Sequence, residues 1–163
     1  MRLIGRSRRL VVASLLAGVV LTGCGEETTV APAAERYVLA LSGANERPTP
    51  VVTAANGSSV ITVLNKDSVE FLIYIAGLDS ITASHFHAGD ASVVGPVMVF
   101  TFGGPTTGKV DGAWRFGYIT RQSTFSGAFT FDSLLTRMRA GTTYLNVHTR
   151  KFGGGELRGQ VKR

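Results

Sequence analysis

The chain has one cysteine, Cys24, so no intrachain disulfide can form and any core downstream must hold by packing alone. The apolar run near the N-terminus stops after 12 residues, Leu10 to Leu21, well short of the roughly 18–20 that cross a bilayer as a helix. Acidic residues are few and scattered, so no glycosidase-like carboxylate pair can be picked out. A serine elbow, a cysteine–histidine nucleophile pair and a phosphate-cradling glycine loop are also missing. Nor is there an internal repeat with a period of 20–50 residues. Together these absences remove the common hydrolase and nucleotide-binding chemistries and leave few candidates for an active site.

The N-terminus is informative. Arg2, Arg6, Arg8 and Arg9 precede the apolar run, and Leu21-Thr22-Gly23-Cys24 closes it with small residues. Basic flank, short apolar stretch and small-residue exit make a cleavable export signal over residues 1–23. The tetrad resembles the bacterial lipobox, which implies that Cys24 is acylated and anchors the protein to the membrane; more than one acyl chain makes such anchoring stable. Gly25 follows where an aspartate would signal inner-membrane retention, which favours the outer membrane. Residues 24–35 are polar and aperiodic and read as a lipidated, flexible tether. Residues 36–163 have the length and apolar content of one domain. Without the signal the chain carries 13 basic residues against 11 acidic, a balance of +2, which is no argument for nucleic acid.

Short alternating runs punctuated by glycine fill this domain. Tyr37, Leu39 and Leu41 alternate, Val60 to Leu64 forms a second run, and Asn65-Lys66-Asp67 supplies a turn. Val69, Phe71, Ile73 and Ile75 give the clearest period of two. Further strands are expected over Ile81–His87, Val97–Phe102, Ala113–Ile119, Ser126–Phe131, Tyr144–Thr149 and Glu156–Val161. One helix is expected over Ser133–Ala140, with Asp132 as N-cap and Gly141 at its C-terminal end. Many short strands with one small helix predict an all-β fold, an antiparallel Greek-key sandwich or barrel.

The three histidines are the chemical candidates. His85 and His87 flank Phe86 on a predicted strand, so their side chains share one face while Phe86 points to the core. His148 lies on another, with Tyr144 and Asn146 on its face and Leu145 and Val147 opposite. Were the two strands neighbours, three imidazoles would converge, a donor set suited to copper, zinc, iron or nickel; a solvated or hydrogen-bonded trio is the other outcome. Asn45 and Glu46 sit at a strand exit before Pro48 and Pro50, where a turn is the simpler reading. Glu156, Arg158 and Gln160 alternate on one face, which is either solvated or part of a buried network.

Four segments resemble the CHRD (chordin-type) domain, in family order: Leu41–Pro48 (LSGANERP), Ser84–Val97 (SHFHAGDASVVGPV), Tyr144–Thr149 (YLNVHT) and Gly154–Val161 (GGELRGQV). Arg47 departs from the usual aliphatic residue, and Lys151-Phe152-Gly153 from a more proline-like approach to the glycines. The resemblance implies a secreted β-sandwich of the kind found in growth-factor-binding chordins and in bacterial envelope proteins. A weaker likeness is to copper–zinc superoxide dismutase, where His85, His87 and His148 would match three copper ligands. Its bridging histidine, zinc loop and disulfide have no counterpart. Two readings follow: a non-enzymatic binding or structural module whose partner is a protein or envelope ligand, and a metalloprotein using copper or zinc.

Overall fold

The computed structural model describes residues 34–163; Cys24, with the expected export signal and most of the expected tether, lies outside them. Eight strands follow in chain order: β1 (Glu35–Ser42), β2 (Asn56–Asn65), β3 (Ser68–Asp79), β4 (Ile81–Ala88), β5 (Val97–Phe102), β6 (Lys109–Thr120), β7 (Thr143–Thr149) and β8 (Leu157–Gln160). One α-helix, α1 (Phe131–Arg139), stands between β6 and β7. The strands form a single antiparallel sheet in the order β5-β4-β7-β8-β1-β2-β3-β6, so the β3–β4 and β6–β7 connections cross in Greek-key fashion.

The sheet curls into a nearly closed barrel. Its edge strands β5 and β6 are bridged by side chains: Phe102 meets Trp114 edge-to-face at 5.3 Å, and Arg115 Nε donates to the Thr101 carbonyl at 3.1 Å. The period-two residues fill the interior. Tyr37, Leu39 and Leu41 of β1 are buried, as are Val69, Phe71, Ile73 and Ile75 of β3. Phe86 faces Phe71 edge-to-face at 6.5 Å, and Leu145 and Val147 of β7 join the same core. The expected turn is present, with Asp67 N–H donating to Asn65 Oδ1 at 2.8 Å.

Three expectations are corrected. Ser126–Phe131 is not a strand; only Phe125 pairs, as an isolated bridge to Val99. The run holds too few residues before the helix begins at Phe131, whose aromatic ring is buried as part of the helix rather than of a strand. The N-cap is Thr130 rather than Asp132: its hydroxyl accepts from Ser133 N–H while Ser133 Oγ accepts from Thr130 N–H, a reciprocal capping box. Asp132 instead lies in the first turn and pairs with Arg121 at 2.6 Å. The helix ends as expected at Gly141, where Gly141 N–H donates to Met138 O and Thr142 N–H to Arg137 O, the Schellman pattern. β1 also starts at Glu35, so the last residue of the expected tether is already in the sheet, paired with Arg139 at 2.8 Å.

Candidate functional site

The site is on the outer face of β4 and β7. Strand register sets His85 opposite Asn146, His87 opposite Tyr144 and Ala83 opposite His148, so His148 lies diagonally across from His85. Directly paired residues of an antiparallel ladder share a face. The same alternation that sends Phe86, Leu145 and Val147 inward therefore gathers all three imidazoles on the other side. One nitrogen from each ring lies within 4.8 Å of the others.

Two loops complete the arrangement. His87 Nδ1 meets the Gly95 carbonyl at 2.9 Å, and His148 Nδ1 meets the Gly153 carbonyl at 3.0 Å. A carbonyl can only accept, so both rings carry their proton on Nδ1 and present an Nε2 lone pair. His87 Nε2 lies 3.1 Å from His85 Nδ1, which donates to it in the neutral pair. His148 Nε2 is enclosed yet has no hydrogen-bond partner among the described residues. Neither Asn146 nor Glu156 binds a histidine: Asn146 donates to Glu46 Oε1 at 2.6 Å, and Glu156 accepts from Thr53 at 2.7 Å and Thr149 at 2.6 Å.

Burial holds these rings neutral. His85 is pushed down to about 3, first by desolvation and then by repulsion from His148 and His87. His87 and His148 are also lowered by burial, partly offset by their bonds to Gly95 and Gly153. Around them the ring of Phe100 meets His85 edge-on at 4.4 Å, and Tyr144 stacks on His87 at 4.7 Å. The Arg158 guanidinium lies 3.5 Å over the opposite aromatic partner, the Tyr144 ring, and adds positive charge that further disfavours His87 protonation.

The four remaining motif residues gather beside this cluster. Asn45 and Glu46 do more than make a turn: Asn45 Nδ2 donates to the Arg158 carbonyl at 3.0 Å, and Glu46 is buried against Asn146. Desolvation pushes the Glu46 carboxyl up to about 7. Glu156 and Arg158 are buried too, but in separate contacts, with Arg158 Nη2 donating to the Asp90 carbonyl at 2.6 Å. Gly155 makes room for the Glu46–Asn146 pair. Its φ is +127°, and a Cβ there would lie 2.7 Å from the Asn146 amide atoms.

Sequence reasoning did not single out Gly95 and Gly153 as anchors, because they act through backbone carbonyls that any residue possesses. For Gly95 the requirement is steric: an added Cβ would overlap the Ala88 carbonyl. Phe100 as the cover of His85 also went unmarked; its placement depends on the β4–β5 register, in which Phe100 pairs with His85.

A nitrogen-lined site on the face of a Greek-key β-barrel thus defines the class. The CHRD domain family matches residues 37–161, and the chain belongs to that family. No curated protein and no solved structure matches the chain.

Proposed function

We propose that this CHRD protein is a metal-binding module held at the cell envelope, taking copper or zinc through His85, His87 and His148. The carrying observation is the enclosed, unpartnered Nε2 of His148 facing two further neutral imidazoles. An unsatisfied buried acceptor costs free energy, and a cation accepting that lone pair removes the cost. The spacing fits once His85 moves its proton to Nε2 and frees Nδ1: nitrogens bound tetrahedrally at about 2.0–2.1 Å stand about 3.3–3.4 Å apart, and His85 Nδ1 and His87 Nε2 are already 3.1 Å apart. Gly95 and Gly153 orient two of the rings from behind, as outer partners of metal-binding histidines commonly do. Three imidazoles leave a coordination position for a further ligand.

The export signal and the lipobox-like Cys24 support placing this module outside the cytoplasm on a lipid anchor. The chemistry of the site supports binding, and no acid–base pair or nucleophile adjoins the cluster among the described residues. Calorimetric titration of the purified chain with copper(II) and zinc(II) tests the reading against His87→Ala and His148→Ala. One equivalent should bind to wild type, with affinity at least tenfold weaker in each variant. Equal affinity in all three proteins would leave the histidines a packed cluster and overturn the proposal.

A further inference from the structure

A cavity of about 370 Å³ lies over the outer face of β1 and β8, and no histidine lines it. Val38, which points outward between the core residues Tyr37 and Leu39, gives it an apolar patch. Arg47, Arg158, Lys162 and Arg163 surround it with four cations, and among the described residues no Asp or Glu lines it.

Arg158 is the decisive member. Its side chain is among the largest fully buried ones, at 2% exposure, yet its one hydrogen bond goes to a neutral carbonyl, Asp90 O. Among the described residues no carboxylate reaches it within ion-pair distance. A buried charge is unfavourable unless it is neutralised. The Tyr144 face and the Glu46 and Asp90 carboxylates, none of them in direct ion-pair contact, offset only part of that cost, so an arginine kept this way suits an anion supplied from outside. Glu46 is a poor internal substitute, because burial already drives its carboxyl toward the neutral form. Arg47 is held in place through Nη1 by the Glu46 carbonyl at 2.7 Å, and its remaining donors stay available. Arg163 is shared with Glu35 at 3.4 Å and so contributes less.

We propose that this cavity binds a small hydroxylated organic anion, a sugar phosphate or sugar acid, with Arg158 and Arg47 on its anionic group and Lys162 at the rim. Guanidinium groups match the planar fork of carboxylate and phosphate oxygens. The amides of Asn45 and Gln160 also line the wall and suit hydroxyls. The volume is in the range of small-molecule sites, and a single inorganic ion would fill only part of it. The cavity adjoins the histidine cluster only through Arg158, which lies on the Tyr144 ring, and no histidine lines it, so its test is run with chelator present and does not depend on metal binding.

The full chain is titrated calorimetrically with glucose 6-phosphate, glucuronate, glucose and inorganic phosphate at constant ionic strength. Saturable binding of glucose 6-phosphate or glucuronate is expected, and the preferred one tells phosphate from carboxylate. Glucose should not bind, and inorganic phosphate should bind at least tenfold more weakly. Arg158→Lys and the paired change Arg47→Ala with Lys162→Ala should each weaken binding at least tenfold. Arg158 is buried, so the exposed charge reversal Lys162→Glu guards against a folding defect and should also weaken binding. No saturable binding of either anion, equal affinity for inorganic phosphate, or unchanged affinity in the Lys162→Glu and paired variants would overturn the proposal.

Discussion

The metal-free protein should lose stability between pH 7 and pH 5, before its ordinary carboxylates titrate. His85, His87 and His148 are buried neutral, with folded-state values below the usual histidine value of about 6.5. For a group depressed on folding, the unfolded chain takes up the proton first. The contribution is therefore constant above about pH 6.5 and is lost as pH falls toward the folded value. His85, pushed down to about 3, stays neutral in the fold throughout this window. Integrating 1.36 kcal/mol per pH unit from pH 7 to 5 gives a loss of about 2 kcal/mol for His85, and the lowered His87 and His148 act in the same direction. Glu46 works the other way. Its carboxyl, raised to about 7 by burial, favours the fold at low pH, and that contribution is lost as pH rises from the unfolded value of 4.5 through 7. That opposing change is also about 2 kcal/mol over the same window, so wild type alone would mask the effect. Glu46→Gln keeps an acceptor for Asn146 and removes the titration. In that background, with chelator present, urea unfolding followed by circular dichroism should show stability falling by at least about 2 kcal/mol from pH 7 to pH 5. A change below about 1 kcal/mol, or a His85 resonance titrating near the free-histidine value, would refute the burial argument.

Four further outcomes are expected. Ile73, fully buried on β3, should cost about 2–5 kcal/mol when cut to alanine, read by urea unfolding. Gly155→Ala places a β-carbon at φ +127° against Asn146 and Glu46, so it should destabilise by at least about 1–3 kcal/mol and shift the Asn146 amide resonances. Thr130→Ala removes half of the capping box of α1 and should cost about 1 kcal/mol, seen as a lowered thermal midpoint. Cys24→Ala should release the protein from membranes or stall its processing, and intact mass of the wild type should show an acylated N-terminal Cys24; an unacylated mature chain counts against the anchor.

The strands were legible because each has one face in the core, and a half-buried strand writes that difference into every second residue. Tyr37-Leu39-Leu41 and Val69-Phe71-Ile73-Ile75 are examples, and all seven are buried. The same rule placed His85 and His87 together and sent Phe86 the other way. It was weakest before α1, where Phe129 and Phe131 mimic alternation but Phe131 serves a helix and the capping pair Thr130–Ser133 sets the boundary. Glu46 and Arg158 were hard to read for a different reason. Polar residues beside prolines and glycines ordinarily face water, and their burial depends on loops from distant parts of the chain covering them, as the Asp90 carbonyl covers Arg158.

By itself, then, the sequence determined local periodicity, the all-β class, the faces of β4 and β7 and the family, since these depend on residues two or a few positions apart. Tertiary structure decided that β4 and β7 are neighbours, which brings His148 to His85 and His87 across 61 residues of chain. It also decided the tautomers and the charge state, because these depend on the Gly95 and Gly153 carbonyls and on exclusion of water. Neither is a property of a histidine's neighbours in sequence; both follow from which loops the closed sheet lays over its own outer face.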